Sequence, residues 1–158
     1  MNYKTENKNL ISHRSKINIF CDGIEYRVRH INKIKDCINS IVISEKKRLI
    51  ELNIIITDDA NMLSINQQYL GHDTYTDTIT FPYNEYKKDV YGDVYISIDM
   101  VRENAKSFKC KTQEELFRIM VHGTLHLCGY KDKESHEEKD VMFDKQEKYV
   151  RQHLLSIN

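Results

Sequence analysis

Apolar residues are spaced in two ways along this chain, one typical of strands and one typical of helices. Short apolar runs, most of them rich in β-branched residues, predict strands over 17–21, 52–57, 78–81 and 92–97. Asp22-Gly23 is a turn sequence, and it predicts that the first strand folds back as a hairpin on a further short strand over 25–28.

Apolar residues three and four positions apart predict helices in the remaining segments. The expected helices cover 30–43, 58–65, 98–108, 113–128 and 134–153. Thr112-Gln113-Glu114-Glu115 matches a capping box, which predicts Thr112 as the N-cap of the fourth helix. The last helix is expected to direct five apolar residues inward: Val141, Met142, Tyr149, Val150 and Leu154. These elements predict one α+β domain over residues 1–158, with a small mixed β-sheet packed against about five helices.

Composition and charge narrow the class of protein. Five Gly and one Pro among 158 residues exclude collagen-like and low-complexity chains. The formal net charge is zero, with 24 Lys and Arg against 24 Asp and Glu. Residues 1–50 nevertheless carry 11 basic and 5 acidic residues, whereas residues 51–130 carry 7 and 12. The N-terminal third can therefore present a positive face to an anionic partner, or it can simply be a solvated surface.

No segment predicts export or membrane insertion. The N-terminal sequence MNYKTENKNLISHRSK is polar, and no apolar run approaches the roughly 18 residues that span a bilayer. The four cysteines contain no C-x-x-C pair, so a four-thiolate zinc knuckle is excluded and reduced, mostly buried thiols are expected. We expect a cytoplasmic protein that does not bind membranes.

The most informative segment is the end of the fourth predicted helix. His122 and His126 are four residues apart, which in a helix means about 40° of rotation and about 6 Å of rise, so both imidazoles can reach one metal ion. Gly129 can end the helix and turn the chain, which would return Asp132 toward the imidazoles. Two nitrogen ligands and one oxygen ligand, with a fourth position for water, are typical of a catalytic Zn²⁺ site with one ion.

Other interpretations of this segment stay open. His122 and His126 can be surface residues with Asp132 as a helix cap, and His136 competes with Asp132 as the third ligand. The spacing is similar to that of metzincin proteases, but Gly123 stands where those enzymes place their glutamate base, which disfavours peptide hydrolysis. Gly123 itself suggests close approach by a substrate, a neighbouring backbone or a second helix.

Three segments resemble the YbeY family of bacterial rRNA-maturation endoribonucleases, which are metal-dependent hydrolases with one α+β domain. The segment 122–130, HGTLHLCGY, is similar to the family signature HGxLHLxGY. Residues 66–69, NQQY, followed by 73–82, DTYTDTITFP, are similar to its N-x-x-Y and D-x-x-T-D-V-L-S-F-P segment, and 92–97, GDVYIS, to its GDI-x-IS strand. The resemblance covers roughly residues 50–150.

Two positions depart from the family pattern. The usual third ligand is a histidine in a GYDH ending, whereas this chain has Asp132 there. The family commonly has an arginine, linked to RNA cleavage, after the tyrosine of N-x-x-Y, and here that residue is Leu70. His72, Lys131 or an arginine elsewhere are the candidates for replacing this cation near a phosphate. Lys131 and Lys133 flank Asp132 and could help to hold an anionic substrate.

The resemblance implies a zinc-dependent, single-strand-specific endoribonuclease that matures the 3′ end of 16S ribosomal RNA and takes part in ribosome quality control. Its partners would be ribosomal RNA and ribosomal particles, not DNA, and Tyr69 or Tyr75 could stack on bases. Two alternatives remain: a non-enzymatic ribosome-assembly factor with a structural metal, and a zinc peptidase with a glutamate from another segment. The sequence assigns no general acid, general base or nucleophile.

Overall fold

A computed structural model describes residues 16–84 and 87–158 of the chain. In these ranges it has four strands and five helices: β1 (Ile17–Cys21), α1 (Ile31–Ser44), β2 (Arg48–Thr57), α2 (Asp59–Leu70), β3 (Thr78–Pro82), β4 (Asp89–Ser97), α3 (Ile98–Ser107), α4 (Thr112–Leu127) and α5 (His136–Ile157). The predicted α+β class, with a small sheet and five helices, is confirmed. No helix in the described ranges is both long enough and apolar enough to cross a membrane. The first 15 residues of the basic N-terminal third lie outside the described residues.

The sheet is mixed, with the strand order β1-β2-β4-β3. β1 and β4 both run parallel to β2, while β3 is antiparallel to β4. Alternate residues of β4 point into the core, where Val90, Val94 and Ile96 are fully buried. The buried side chains of α1 and α4 complete this core, and they include Ile34, Ile38, Ile41, Leu116, Phe117 and Met120.

The predicted hairpin at the start of the chain is wrong. Residues 25–28 form no strand, and β1 pairs instead with β2, with Ile19 opposite Ile54. The N–H of Asp22 donates to the Ile56 carbonyl oxygen (2.9 Å), and the Asp22 carbonyl oxygen accepts from Thr57 Oγ1 (2.9 Å). The chain therefore leaves β1 along the end of β2 and does not reverse. A local turn sequence cannot reveal a partner strand more than 30 residues away.

Helix boundaries differ from the predictions at several ends. Thr112 is the first residue of α4 and Lys111 is its N-cap, without a side-chain cap bond, so the predicted capping box is wrong. α2 continues to Leu70 and α5 to Ile157. Val141, predicted to face inward, is 44% exposed. Met142, Tyr149 and Val150 are buried as predicted, because α5 packs through positions four and three residues apart.

The four cysteines are unpaired, as expected. Cys37 and Cys128 are buried, whereas Cys21 and Cys110 are partly exposed. Burial raises the pKa of the Cys128 thiol to about 12, so it is protonated and unreactive at neutral pH.

Candidate metal centre

Gly123 fixes the orientation of α4 on the sheet. It is fully enclosed, and a Cβ built on it would lie 2.5 Å from Cγ1 of Val94 in β4. The glycine therefore serves helix-to-strand packing, rather than approach by a substrate or by a second helix. With this face of α4 pressed on β4, the neighbouring face carries His122 and His126 to the surface of the core, where both are partly exposed.

The C-terminus of α4 ends in a Schellman motif. The Gly129 N–H donates to the His126 carbonyl oxygen (3.0 Å), and the Tyr130 N–H donates to the Leu125 carbonyl oxygen (3.1 Å). Gly129 has φ 105°, a conformation that residues with a side chain rarely adopt. The chain therefore doubles back over the last turn of the helix and brings Asp132 to the two histidines, as the glycine spacing predicted.

Three electron-rich side-chain atoms meet at this point. The Nε2 atoms of His122 and His126 are 3.0 Å apart, and Asp132 Oδ2 lies 3.3 Å from the first and 3.4 Å from the second. These residues form a candidate metal site, since one ligand atom from each lies within 4.8 Å of the others. His136, the competing candidate, is the exposed first residue of α5 and is not part of this group.

Hydrogen bonds fix the tautomer of each imidazole. His122 Nδ1 lies 2.7 Å from Gln146 Oε1, and His126 Nδ1 lies 3.0 Å from the Tyr130 carbonyl oxygen. Amide and carbonyl oxygens only accept hydrogen bonds, so both Nδ1 atoms carry the proton and donate it. In neutral imidazoles with this tautomer, both Nε2 atoms have lone pairs, which face each other and the Asp132 carboxylate. Such convergence repels unless a cation lies between the atoms.

Two further observations fit a divalent cation at this site. Asp132 Oδ1 is buried and has no hydrogen-bond partner within the described ranges, so this carboxylate carries acceptor capacity that the protein does not use. Burial, together with the proximity of His122, lowers the pKa of His126 and favours the neutral imidazole that binds metals. Two neutral imidazoles and one carboxylate form a donor set that zinc accepts.

The hydrogen-bond acceptor for His122 is held by an ion-pair network that the sequence analysis did not identify. Gln146 Nε2 donates to Glu147 Oε1 (3.3 Å), which orients the amide oxygen toward His122. Glu147 in turn accepts from Arg118 Nε (2.8 Å). Gln146 lies four residues from both Met142 and Val150 on the inner face of α5. A polar residue at a core-facing position of a helix needs a hydrogen-bond partner, and this is the feature of the sequence that could have identified Gln146.

The loop that carries Asp132 is held from the other side by Glu45, at the end of α1. The hydroxyl groups of Tyr130 and Tyr149 donate to its two carboxylate oxygens at 2.7 and 2.6 Å, and Lys145 Nζ lies 3.3 Å away. Burial alone would raise the pKa of Glu45, but these hydrogen bonds lower it. The buried carboxylate therefore stays ionised and links α1, α5 and the Tyr130 loop.

The candidate site lies in an open cleft of about 610 Å³, here called the metal cleft. Its walls include Leu70, His72, Tyr75, Lys131 and Lys133. His72 and Lys131, which the sequence offered as replacements for the missing arginine, thus line the same cleft as Leu70. Leu70 itself is 44% exposed.

Tyr75 also lines the metal cleft, and it is 60% exposed. Tyr69 is 64% exposed but is not among the residues that line this cleft, and it packs edge-on against Phe81, with ring centroids 5.8 Å apart. Asn66, the buried first residue of the N-x-x-Y segment, donates through Nδ2 to the Thr74 carbonyl oxygen (2.8 Å) and holds the loop that forms this wall.

Comparison with known proteins decides the family. A family model described as "Endoribonuclease YbeY" matches residues 19–153. The chain belongs to the YbeY family. The YbeY endoribonuclease of Flavobacterium psychrophilum is 48% identical over 115 residues, covering 73% of this chain and 81% of that protein. The YbeY endoribonuclease of Cytophaga hutchinsonii is 41% identical over 128 residues, covering 81% and 89%.

A solved structure has the same fold as this chain. A solution structure of a Thermotoga maritima protein superposes with a TM-score of 0.63 at 33% identity, covering 85% of this chain and 87% of that one. The resemblance that the sequence motifs indicated is therefore confirmed. Within this YbeY chain, the departures at Leu70 and Asp132 both lie in the metal cleft.

Proposed function

We propose that this chain is a zinc-dependent endoribonuclease specific for single-stranded RNA, with one Zn²⁺ held by His122, His126 and Asp132. Family membership supports the RNA-cleaving activity. The convergence of three ligand atoms in the lining of the metal cleft is the single observation that carries the proposal. The same proposal includes two roles, maturation of the 3′ end of 16S ribosomal RNA and ribosome quality control, with ribosomal particles as partners. It also includes a cytoplasmic location and one domain over residues 1–158.

The bound metal would supply a water of lowered pKa or a Lewis acid for a phosphoryl oxygen. The residues of the chain position the phosphate around it. Lys131 and Lys133 are exposed next to Asp132, where their ammonium groups attract the RNA backbone. His72, on the opposite wall, can donate to a phosphate oxygen. Because Leu70 offers no charge on that wall, stabilisation of the transition state in the metal cleft depends on His72 from one wall and the two lysines from the other.

An RNA cleavage assay tests this proposal. Purified protein is incubated with ribosomal RNA in three arms: with added zinc, with a chelator, and as the His126→Ala variant. The matched control is His136→Ala, which removes an exposed histidine outside the candidate site. With added zinc, we expect the wild type and His136→Ala to cleave the RNA. We expect no cleavage in the chelator arm or by His126→Ala. Undiminished cleavage in the chelator arm or by His126→Ala would exclude the proposed metal mechanism.

A ribosome-assembly factor without nuclease activity is the second candidate, and the exposed Leu70 favours it because the cleft lacks a cation at that position. Binding of ribosomal particles with no RNA cleavage would support that candidate. The peptidase alternative requires a glutamate from outside α4, because Gly123 stands where the glutamate base would be and is packed against Val94.

A further inference from the structure

A second, separate groove is lined almost entirely by basic residues. It has a volume of about 710 Å³ and is called the basic groove here. Six residues line it: Lys46, Lys47, Arg48, Lys87, Lys88 and Asp89. The one acidic residue among these six, Asp89, is paired with Arg48. Its Oδ1 and Oδ2 accept hydrogen bonds from Arg48 Nε (2.9 Å) and Nη2 (3.1 Å). Among the described residues that line the groove, no carboxylate pairs with the four lysines.

Two chain segments build this groove and hold it together. The turn between α1 and β2 supplies one side, and the segment that leads into β4 supplies the other. The Arg48 N–H donates to the Lys88 carbonyl oxygen (2.7 Å), and Lys47 Nζ donates to the Lys87 carbonyl oxygen (2.5 Å). The cations are therefore held close together by the fold, and their mutual repulsion favours a bound anion.

Lys46 occupies a backbone position that glycine would fill at lower cost. α1 ends in a Schellman motif, in which the Lys46 N–H donates to the Ile43 carbonyl oxygen (2.9 Å) and the Lys47 N–H donates to the Val42 carbonyl oxygen (3.1 Å). Lys46 has φ 58°, in the left-handed region that is unfavourable for a residue with a side chain. The chain thus places an ammonium group in the groove despite backbone strain.

One hydrogen bond links the turn that forms the basic groove to the loop that carries Asp132. Glu45 directly precedes Lys46, and its carboxylate accepts from the Tyr130 hydroxyl. Tyr130 directly follows Gly129 and comes two residues before Asp132. The groove is therefore anchored to the same loop that positions the proposed metal ligand Asp132.

We propose that the basic groove binds the phosphate backbone of single-stranded RNA outside the metal cleft, an inference that rests on the proposed nuclease function. Five cations line this groove, and several phosphates of one RNA strand can neutralise more of them than a single small anion can. Each phosphate neutralised releases counterions, which makes the affinity fall with salt. The groove would increase affinity without reading sequence, because it offers cations and no base-edge contacts.

The first test uses Lys46→Gly, with Lys109→Gly as the matched control. Lys109 also follows a helix in the left-handed region, at φ 54°, with its N–H donating to the Lys106 carbonyl oxygen (3.3 Å), and it lies outside the groove. Both substitutions remove one positive charge and relieve the same strain, so neither variant should fold less well than the wild type. Only Lys46→Gly removes a groove cation.

Binding is measured by fluorescence anisotropy with a fluorescein-labelled single-stranded RNA of mixed sequence, over a series of salt concentrations. The full chain is kept in chelator, which stops the proposed zinc-dependent cleavage, and a gel confirms that the RNA is intact. We expect Lys46→Gly to weaken binding several-fold and to reduce the slope of log affinity against log salt by about 0.7. Lys46→Gly with Lys88→Gln should double that reduction, while Lys109→Gly should bind like the wild type.

The results separate this inference from the function on which it rests. If the wild type binds and cuts RNA but the groove variants bind with unchanged affinity and salt slope, the inference is wrong and the nuclease proposal stands. Equal losses for Lys46→Gly and Lys109→Gly would also overturn it, because they would reflect net charge alone. A wild type that neither binds nor cuts RNA would overturn both.

Discussion

The two walls of the metal cleft are built in different ways. The ligand wall, formed by α4 and residues 129–132, is tied down: both histidines donate through Nδ1 to fixed acceptors, and Gly123 locks the helix on β4. The facing wall, residues 70–77, is mostly exposed and is held by the Asn66–Thr74 hydrogen bond and a few others. The comparison indicates that the fold fixes the position of the metal ligands in advance. The facing wall, which would contact a substrate, tolerates substitutions such as leucine in place of the usual arginine at position 70.

The largest effect should come from loosening the ligand wall at Gln146. Gln146→Leu removes the acceptor for His122 Nδ1, so the imidazole loses its fixed tautomer and orientation. We expect zinc affinity to fall about 10- to 100-fold, as is usual when an outer partner of a metal ligand is removed. Competition titration with a chromophoric chelator measures this. Gln152→Leu, an exposed position on the same helix, is the control, and equal affinities in the two variants would contradict the prediction.

How far the sequence predicted this wall depends on how local each contact is. His122, His126, Gly129 and Asp132 lie within 11 residues, so helix period and one glycine turn were sufficient to predict their convergence. Gln146 lies 24 residues from His122, and only the packing of α5 on α4 brings the two together. The wrong hairpin at 25–28 has the same cause, since the register of β1 with β2 is a long-range property.

Gly123 tests the packing that orients the ligand wall. A methyl group at this position would overlap Cγ1 of Val94, so Gly123→Ala should lower the free energy of unfolding by about 1–3 kcal/mol. Urea denaturation of the metal-free protein measures the loss. Val94→Ala removes the overlapping atoms, so the double variant should lose less than the sum of the two single variants. Strictly additive losses would show that Gly123 does not act through Val94.

The facing wall is tested by restoring a cation. Leu70→Arg places a guanidinium at an exposed position in the metal cleft, where it can stabilise charge on a phosphate. We expect a several-fold rise in the rate of RNA cleavage with unchanged zinc affinity. Leu70→Gln is the control for side-chain size. A rise in both variants, or a change in zinc affinity, would contradict the assignment of this wall to the substrate.

The smallest effect concerns Glu45, behind the ligand wall. The pKa of Glu45 in the folded protein lies below its ordinary value of 4.5. The ionised carboxylate therefore stabilises the folded protein fully above pH 4.5, and this stabilisation is lost as the pH falls through the folded-state pKa. The difference in unfolding free energy between the wild type and Glu45→Gln should therefore shrink from pH 7 to acid pH. Urea denaturation of metal-free protein across this range measures it. A constant or growing difference would contradict the ionised state of Glu45.

The central claim is that His122, His126 and Asp132 together hold one metal ion. A crystal structure of the zinc-loaded protein, with anomalous data collected at the zinc edge, tests it most directly. We expect one anomalous peak, about 2.0–2.2 Å from both Nε2 atoms and from a carboxylate oxygen of Asp132. A peak ligated by His136 in place of Asp132, or an Asp132 side chain turned away from the imidazoles, would contradict the claim.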